Sequence, residues 1–301
     1  MNENTTVAST ESLTKVYGGR VAVDKVSMTV RRGEVYGFLG PNGAGKTTTL
    51  RMMLGLIRPT SGSAHVAAAR VGALIEGPGF YPYLSGRANL RTLARHRGFD
   101  DTEVERVLER VDLVERGDDR FKGYSLGMKQ RLGVAAALMG DPELIVLDEP
   151  TNGLDPAGMA DMRALVVDLA RGGQTVLLSS HLLAEVQEIC HRVGVINGGR
   201  LLRESTVAEL RGGVTLRVRA TPEPEALAVA MRLAGDDGVR RDADGALALA
   251  LPADAAPDVA RALVEAGVDV HEITAAERSL EEVFFEMTKH EDHHGPKEKV
   301  S

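Results

Sequence analysis

The stretch that most constrains this chain is Gly40 to Thr48, GPNGAGKTT, which directly follows the apolar run Val35-Tyr36-Gly37-Phe38-Leu39. It fits the phosphate-loop pattern G-x-x-x-x-G-K-[ST], with Gly40, Gly45, Lys46 and Thr47 at the fixed positions, between a predicted strand and the helical segment Thr48–Leu56. Glycines let the backbone wrap one anion with successive N–H groups, Lys46 adds positive charge near the outer phosphates, and Thr47 offers a hydroxyl to Mg²⁺. The competing reading is an ordinary Gly-rich turn between a strand and a helix.

Composition narrows the partners. The 301 residues suit two domains, or one large domain with an appendage. A net charge of −7 fits a broad nucleic-acid surface poorly, although a local basic groove stays open, and no nucleic-acid partner is expected. Cys190 is the sole cysteine, so the chain can form no internal disulfide and no thiolate-rich metal site, and a reducing compartment fits best. Met1–Thr10 has no basic start followed by an apolar core, and no apolar run approaches the length of a bilayer span. Work at a membrane is therefore expected to go through a partner.

Read in order, residues 1–8 are expected to be a loose leader rich in Asn and Thr. Val21–Val30 reads as strand pieces broken near Asp24-Lys25, and Arg58–Ser63 as a turn-rich break before a short strand at Val71–Ile75. Phe80, Tyr81 and Tyr83 fall together in a Gly/Pro-rich loop, where they either fill core or face a partner. Gly86–Val114 is helical in pattern, with Val104, Val107, Leu108 and Val111 on one face and Asp101 as the available cap. Ser125–Met139 reads as a capped helix, Leu144–Leu147 as a strand buried on both faces, Asp155-Pro156 as a helix start, and Thr175–Ser179 as another buried strand. Strands alternating with helices imply a parallel α/β sheet.

The texture changes near Glu204. Val214–Val218, Glu223–Leu233, Leu247–Leu251, Ala255–Glu265 and Val268–Ile273 alternate between strand and helix patterns, which implies a small α+β domain over residues 205–288. Ser279-Leu280-Glu281-Glu282 forms a capping box, and Leu280, Val283, Phe284 and Met287 share one helical face. Residues 289–301, with His290, His293 and His294, read as a frayed tail; those histidines lack the carboxylates or thiolates that would complete a metal site.

Asp148 and Glu149 end the buried strand of Leu144–Leu147. That position puts one carboxylate toward a metal and a second where it can orient or deprotonate a water attacking a γ-phosphate. A plain charged strand-to-loop turn is the alternative. With Tyr17, Gly40–Thr48, Ser125–Gly133, Leu144–Glu149, Gly153-Leu154-Asp155 and His181 in this order, the first two thirds of the chain resemble the ATP-binding subunit of an ATP-binding cassette (ABC) transporter. The resemblance implies an α/β P-loop NTPase cassette over residues 9–204, with a helical subdomain at about 80–140, followed by the small C-terminal α+β accessory domain.

It also implies roles. Tyr17 stacks on adenine, while Gly40, Pro41, Asn42, Gly43, Ala44, Gly45, Lys46, Thr47 and Thr48 hold the phosphates of ATP. Thr47 and Asp148 position Mg²⁺, Glu149 is the catalytic carboxylate, and His181 contacts the γ-phosphate. Ser125 and Gly127 cap ATP bound to an opposite subunit, so two sites form only in a homodimer around two ATP molecules. Each residue also has a plain reading: Tyr17 as core cover, Ser125 and Asp155 as helix N-caps, His181 as a capped strand end.

Two departures stand out. The signature reads SLGMKQRLG, with Leu126, Met128 and Lys129 where the commonest form has Gly, Gly and Gln, and Glu76 replaces a glutamine that senses Mg²⁺ and the membrane partner. These departures, the stretch Ala73–Pro78 leading to Phe80-Tyr81, and the ending Leu280–Phe284 resemble the branch serving drug and peptide-antibiotic exporters. In that branch an integral-membrane permease is often a separate polypeptide, which implies a peripheral location on the cytoplasmic face of the membrane. A soluble cassette acting on ribosomes or DNA is the alternative, but the chain has neither a second cassette nor a long coiled-coil insertion.

Overall fold

The computed structural model describes residues 5–211, 215–242, 244–276, 280, 281, 283 and 284, and the chain divides into two compact units after Thr206. The first unit runs β1 (Thr6–Tyr17), β2 (Arg20–Arg31), β3 (Val35–Leu39), α1 (Lys46–Met53), β4 (Ser61–Val66), β5 (Val71–Leu74), α2 (Gly86–Arg97), α3 (Asp101–Arg110), α4 (Leu126–Leu138), β6 (Leu144–Asp148), α5 (Pro156–Arg171), β7 (Thr175–Ser180), α6 (Leu183–Ile189), β8 (Arg192–Asn197) and β9 (Arg200–Thr206).

Its central sheet has the order β5-β6-β7-β3-β8-β9, parallel except for β9, which returns antiparallel to β8. Every residue of β3, β6 and β7 is buried, as apolar strands covered on both faces must be. The sheet β2-β1-β4 is antiparallel and shares a core with β3 and α1 through Leu13, Val23, Met28, Phe38 and Leu50. This strand order places the ends of β3, β6 and β7 side by side, with β7 in the middle.

Several expectations change. Strand β1 takes in Thr6, Val7 and Ala8 rather than leaving them in a leader, because Val7 and Ala8 are apolar and bury against the core. The break expected at Asp24-Lys25 is a bulge within one continuous β2: the register slips between Leu13↔Val26 and Lys15↔Val23, and Lys25 takes φ 52°. The turn-rich Ser61–Ser63 lies inside β4, where Gly62 passes so close to β1 that an added Cβ would stand 2.2 Å from the Ser12 carbonyl oxygen. The Gly86–Val114 pattern is two helices: Gly98 closes α2 in the left-handed conformation, and Asp100, not Asp101, caps α3 by accepting from the N–H groups of Thr102 and Glu103. The β8–β9 hairpin has no counterpart in the sequence reading.

One buried ionic cluster ties β2 to the central sheet. Arg192, 8 % exposed, lies 3.2 Å from Glu34 and 3.1 Å from Glu204 and donates to the Thr29 carbonyl. Glu204 also accepts from the Tyr36 hydroxyl and the Thr29 N–H, each at 2.9 Å, and Glu34 accepts from the Arg31 N–H. Burial pushes the Glu34 carboxyl above its ordinary range, with Arg31 and Arg192 pulling the other way.

The second unit holds α7 (Val207–Arg211), β10 (Thr215–Thr221), α8 (Glu223–Ala234), β11 (Val239–Arg241), β12 (Leu247–Leu249), α9 (Ala256–Glu265) and β13 (Asp269–Ala276). Its antiparallel sheet has the order β11-β12-β10-β13, a split βαβ arrangement whose core joins Leu216, Val218, Val229, Leu247, Val259 and Leu263. Strand β11 is too short to show an alternation and was not expected. Ser279, Glu282, Met287 and residues 289–301 lie outside the described residues, and the capping box and the tail with them; of the expected helical face, Leu280, Val283 and Phe284 are helical, with Leu280 and Val283 buried.

Candidate functional site

A cavity of about 320 Å³ opens where β3 gives way to α1, lined by Asn42, Gly43, Gly45, Lys46, Thr47, Thr48 and Glu149, with Arg20–Ala22 and Gly198-Gly199 on its rim. Gly45 is the N-cap of α1 at φ 103°, and it supplies no side-chain cap. The first turn of α1 therefore turns its unpaired N–H groups, together with the positive end of the helix dipole, toward the cavity. An alanine at 45 would bring its Cβ to 2.6 Å from the Ala22 carbonyl oxygen. Such a turn, with no side chain in the way, suits a chain of phosphate groups.

Lys46 is buried, and its ammonium donates to the carbonyls of Gly40 at 2.6 Å and Pro41 at 3.2 Å. It also lies 3.0 Å from Glu149 Oε1, while Glu149 Oε2 lies 3.0 Å from His181 Nδ1. Glu149 sits at φ 48°, a conformation that costs a non-glycine residue about 1–3 kcal/mol and that turns its carboxylate back over the phosphate loop. Beside it, the Thr47 hydroxyl donates to Asp148 Oδ2 at 2.7 Å. A hydroxyl and a carboxylate in contact suit a hard divalent cation, whose remaining ligands would be phosphate and water oxygens. Among the described residues no set of three His, Cys, Asp or Glu side chains forms a complete metal site by itself.

Sequence reading missed the residue that joins these parts. Ser179 Oγ donates to Asp148 Oδ1 at 2.5 Å and accepts from the Glu149 N–H at 3.0 Å. It can do so because β7 lies between β6 and β3, pairing Asp148 with Ser179 on one side and Phe38 with Ser179 on the other. The available signal was a pair of hydroxyl residues at the end of a strand that is otherwise apolar.

Other expected residues lie elsewhere. Ser125, Gly127, Leu126 and Met128 line a separate cavity of about 490 Å³ with Gly153, Leu154 and Asp155, and no lining residue is common to the two cavities. Ser125 Oγ accepts from the Met128 N–H and caps α4, and Asp155 caps α5 through the Gly158 N–H. Tyr17 is half exposed at the end of β1, with the Lys15 ammonium 5.0 Å from its ring centre, and is not among the lining residues. Glu76 pairs with Arg51 of α1 at 2.5 Å rather than with Thr47 or Asp148. The loop aromatics divide: Phe80 stacks edge-on against Phe121, whereas Tyr81 and Tyr83 are 53 % and 66 % exposed. Buried Asn89 holds this loop by accepting from the Tyr81 N–H and donating to the carbonyls of Tyr81 and Ser85.

Comparison with known proteins agrees with this geometry. The family model described as ABC transporter matches residues 23–152. An uncharacterized ABC transporter ATP-binding protein, YdbJ of Bacillus subtilis, is 39 % identical over 292 residues, covering 92 % of this chain and 94 % of that protein. The bacitracin transport ATP-binding protein BcrA of Bacillus licheniformis is 38 % identical over 297 residues, covering 94 % and 97 %. A solved structure of an ATP-binding subunit of an ABC transporter superposes with a TM-score of 0.61 at 27 % identity, over 68 % of this chain and 92 % of that one. Phosphate loop, acidic strand end and full-length likeness converge, and the chain belongs to the ATP-binding proteins of ABC transporters, a family of ATPases.

Proposed function

We propose that this protein is the ATP-hydrolysing subunit of an exporter for a drug, antibiotic or related compound, working through a separate integral-membrane permease. The observation that carries the site is the chain of contacts from Lys46 to Glu149 to His181 over the mouth of the phosphate loop. The kinship with a protein named for bacitracin transport supports the substrate class. No helix of the described residues is long and apolar enough to cross a membrane, so the path for the exported compound is assigned to the permease, which would hold this chain at the cytoplasmic face.

In this reading the amides of Gly43, Gly45, Lys46, Thr47 and Thr48 bind the phosphates of ATP, and Tyr17 stacks on the adenine. Thr47 and Asp148 would hold Mg²⁺, which would supply neutralisation of the phosphate charge. Glu76 would join them only on releasing Arg51. Phosphate oxygens compete with Glu149 for Lys46, which leaves the Glu149 carboxylate free to take a proton from water while His181 holds the γ-phosphate. Ser125 and Gly127 line a cavity of their own that shares no residue with the one at the phosphate loop. They are assigned to ATP on a second copy, so that two ATP molecules close a homodimer that ADP does not hold. The C-terminal unit is assigned to dimer or partner contacts.

Glu149→Gln tests the assignment. The variant should bind ATP and accumulate as a dimer in size-exclusion chromatography, with turnover reduced at least about 100-fold, the low end of general-base effects. Turnover at the wild-type rate would remove Glu149 as the base.

A further inference from the structure

The two serines that end β7 serve opposite sides of the strand, as alternate residues do. Ser179 holds Asp148 and Glu149, as described, and the roles assigned above leave Ser180 unused. Ser180 and Glu185 are each 2 % exposed, and Ser180 Oγ donates to Glu185 Oε2 at 2.6 Å while accepting from the Leu182 N–H at 3.0 Å. The Ser180 carbonyl accepts from the N–H of Gly40, the first residue of the phosphate loop, at 3.2 Å. His181 therefore stands between two residues that are both pinned. Leu182, the N-cap of α6, offers no side-chain cap, and Glu185 reaches back from the first turn of that helix to the serine instead. Burying a carboxylate costs several kcal/mol, whereas an apolar side chain would fill the same space without that cost. Packing alone does not account for Glu185.

We infer that Glu185, acting through Ser180, is a positioning residue that presents the His181 imidazole to Glu149 and to the substrate. The inference rests on the role given to His181 above. A rigid support matters because displacing a reacting group by about 1 Å can cost about 100-fold in rate.

The experiment is steady-state ATP turnover against ATP concentration for the full chain, with melting temperature and ATP binding measured in parallel, for Ser180→Ala, Glu185→Ala and Glu185→Gln. Ser180→Ala and Glu185→Ala should each lower kcat about 10-fold at a temperature well below the melting point of either variant, leaving KM and ATP affinity close to wild type. In Glu185→Gln the amide oxygen still accepts from Ser180, so this variant should stay within about twofold of wild type. Wild-type kcat in both alanine variants would overturn the inference, as would a loss that tracks the melting temperature and is shared by Glu185→Gln. Glu149→Gln and His181→Ala run alongside separate the two levels. If they turn over normally, the underlying site assignment fails; if they are impaired while Ser180→Ala is not, only the positioning role fails.

Discussion

Replacing Arg192 with Met isolates the buried ionic cluster from the catalytic chemistry. The guanidinium lies 3.2 Å from Glu34 and 3.1 Å from Glu204. At an effective dielectric of about 20, each contact supplies about 5 kcal/mol of gross attraction. Desolvation of the three ions offsets most of this in the intact protein, but removing only the cation leaves the cost without the return, and such losses run to about 3–5 kcal/mol. Met keeps apolar contact with the Tyr36 ring, which now lies 5.6 Å from the guanidinium carbon.

The loss also depends on pH, and its sign follows from linkage. Glu34 already holds its proton more tightly folded than its ordinary value of 4.5, because burial outweighs Arg31 and Arg192. Without Arg192 its folded-state pKa rises further, so the folded variant takes up a proton that the unfolded chain releases, and the variant's stability falls as pH rises through that window. The difference between wild type and variant should therefore be about 3–5 kcal/mol at pH 8 and smaller near pH 5. Urea unfolding followed by far-UV circular dichroism measures both, since the chain has no Trp to report by fluorescence. A difference below about 1 kcal/mol at pH 8, or one that grows toward acid, would refute this account of the cluster.

Lys46→Ala removes the ammonium that the loop carbonyls and Glu149 now share, and a nucleotide titration should show at least about a 10-fold weaker affinity for ATP, by analogy with lost charge-assisted contacts of about 1.5–3 kcal/mol. Gly45→Ala meets the Ala22 carbonyl at 2.6 Å in a left-handed backbone, so it should lower stability by about 1–3 kcal/mol in thermal melts and abolish ATP binding. Tyr81→Ser with Tyr83→Ser changes two exposed rings; stability should stay within about 0.5 kcal/mol, while recovery of the permease in co-purification should drop. Undiminished recovery would return those tyrosines to the ordinary surface.

Local chemistry made much of this protein legible without coordinates. The phosphate loop, the acidic end of Leu144–Asp148, the Ser125 and Asp155 caps and the parallel α/β texture are all written in short windows, where backbone conformation and periodicity depend on neighbours in the chain. Tertiary structure decided what depends on distant pairing. That β7 lies between β6 and β3 lets Ser179 join Asp148 to Glu149, and the β8–β9 hairpin delivers Arg192 and Glu204 to Glu34. The same holds for the division of the aromatics into Phe80, packed on Phe121, and exposed Tyr81 and Tyr83, and for the pairing of Glu76 with Arg51. A residue's type limits which bonds it can make, but its partner is set by strand order and by the competition for burial, and neither is encoded within a few residues of it.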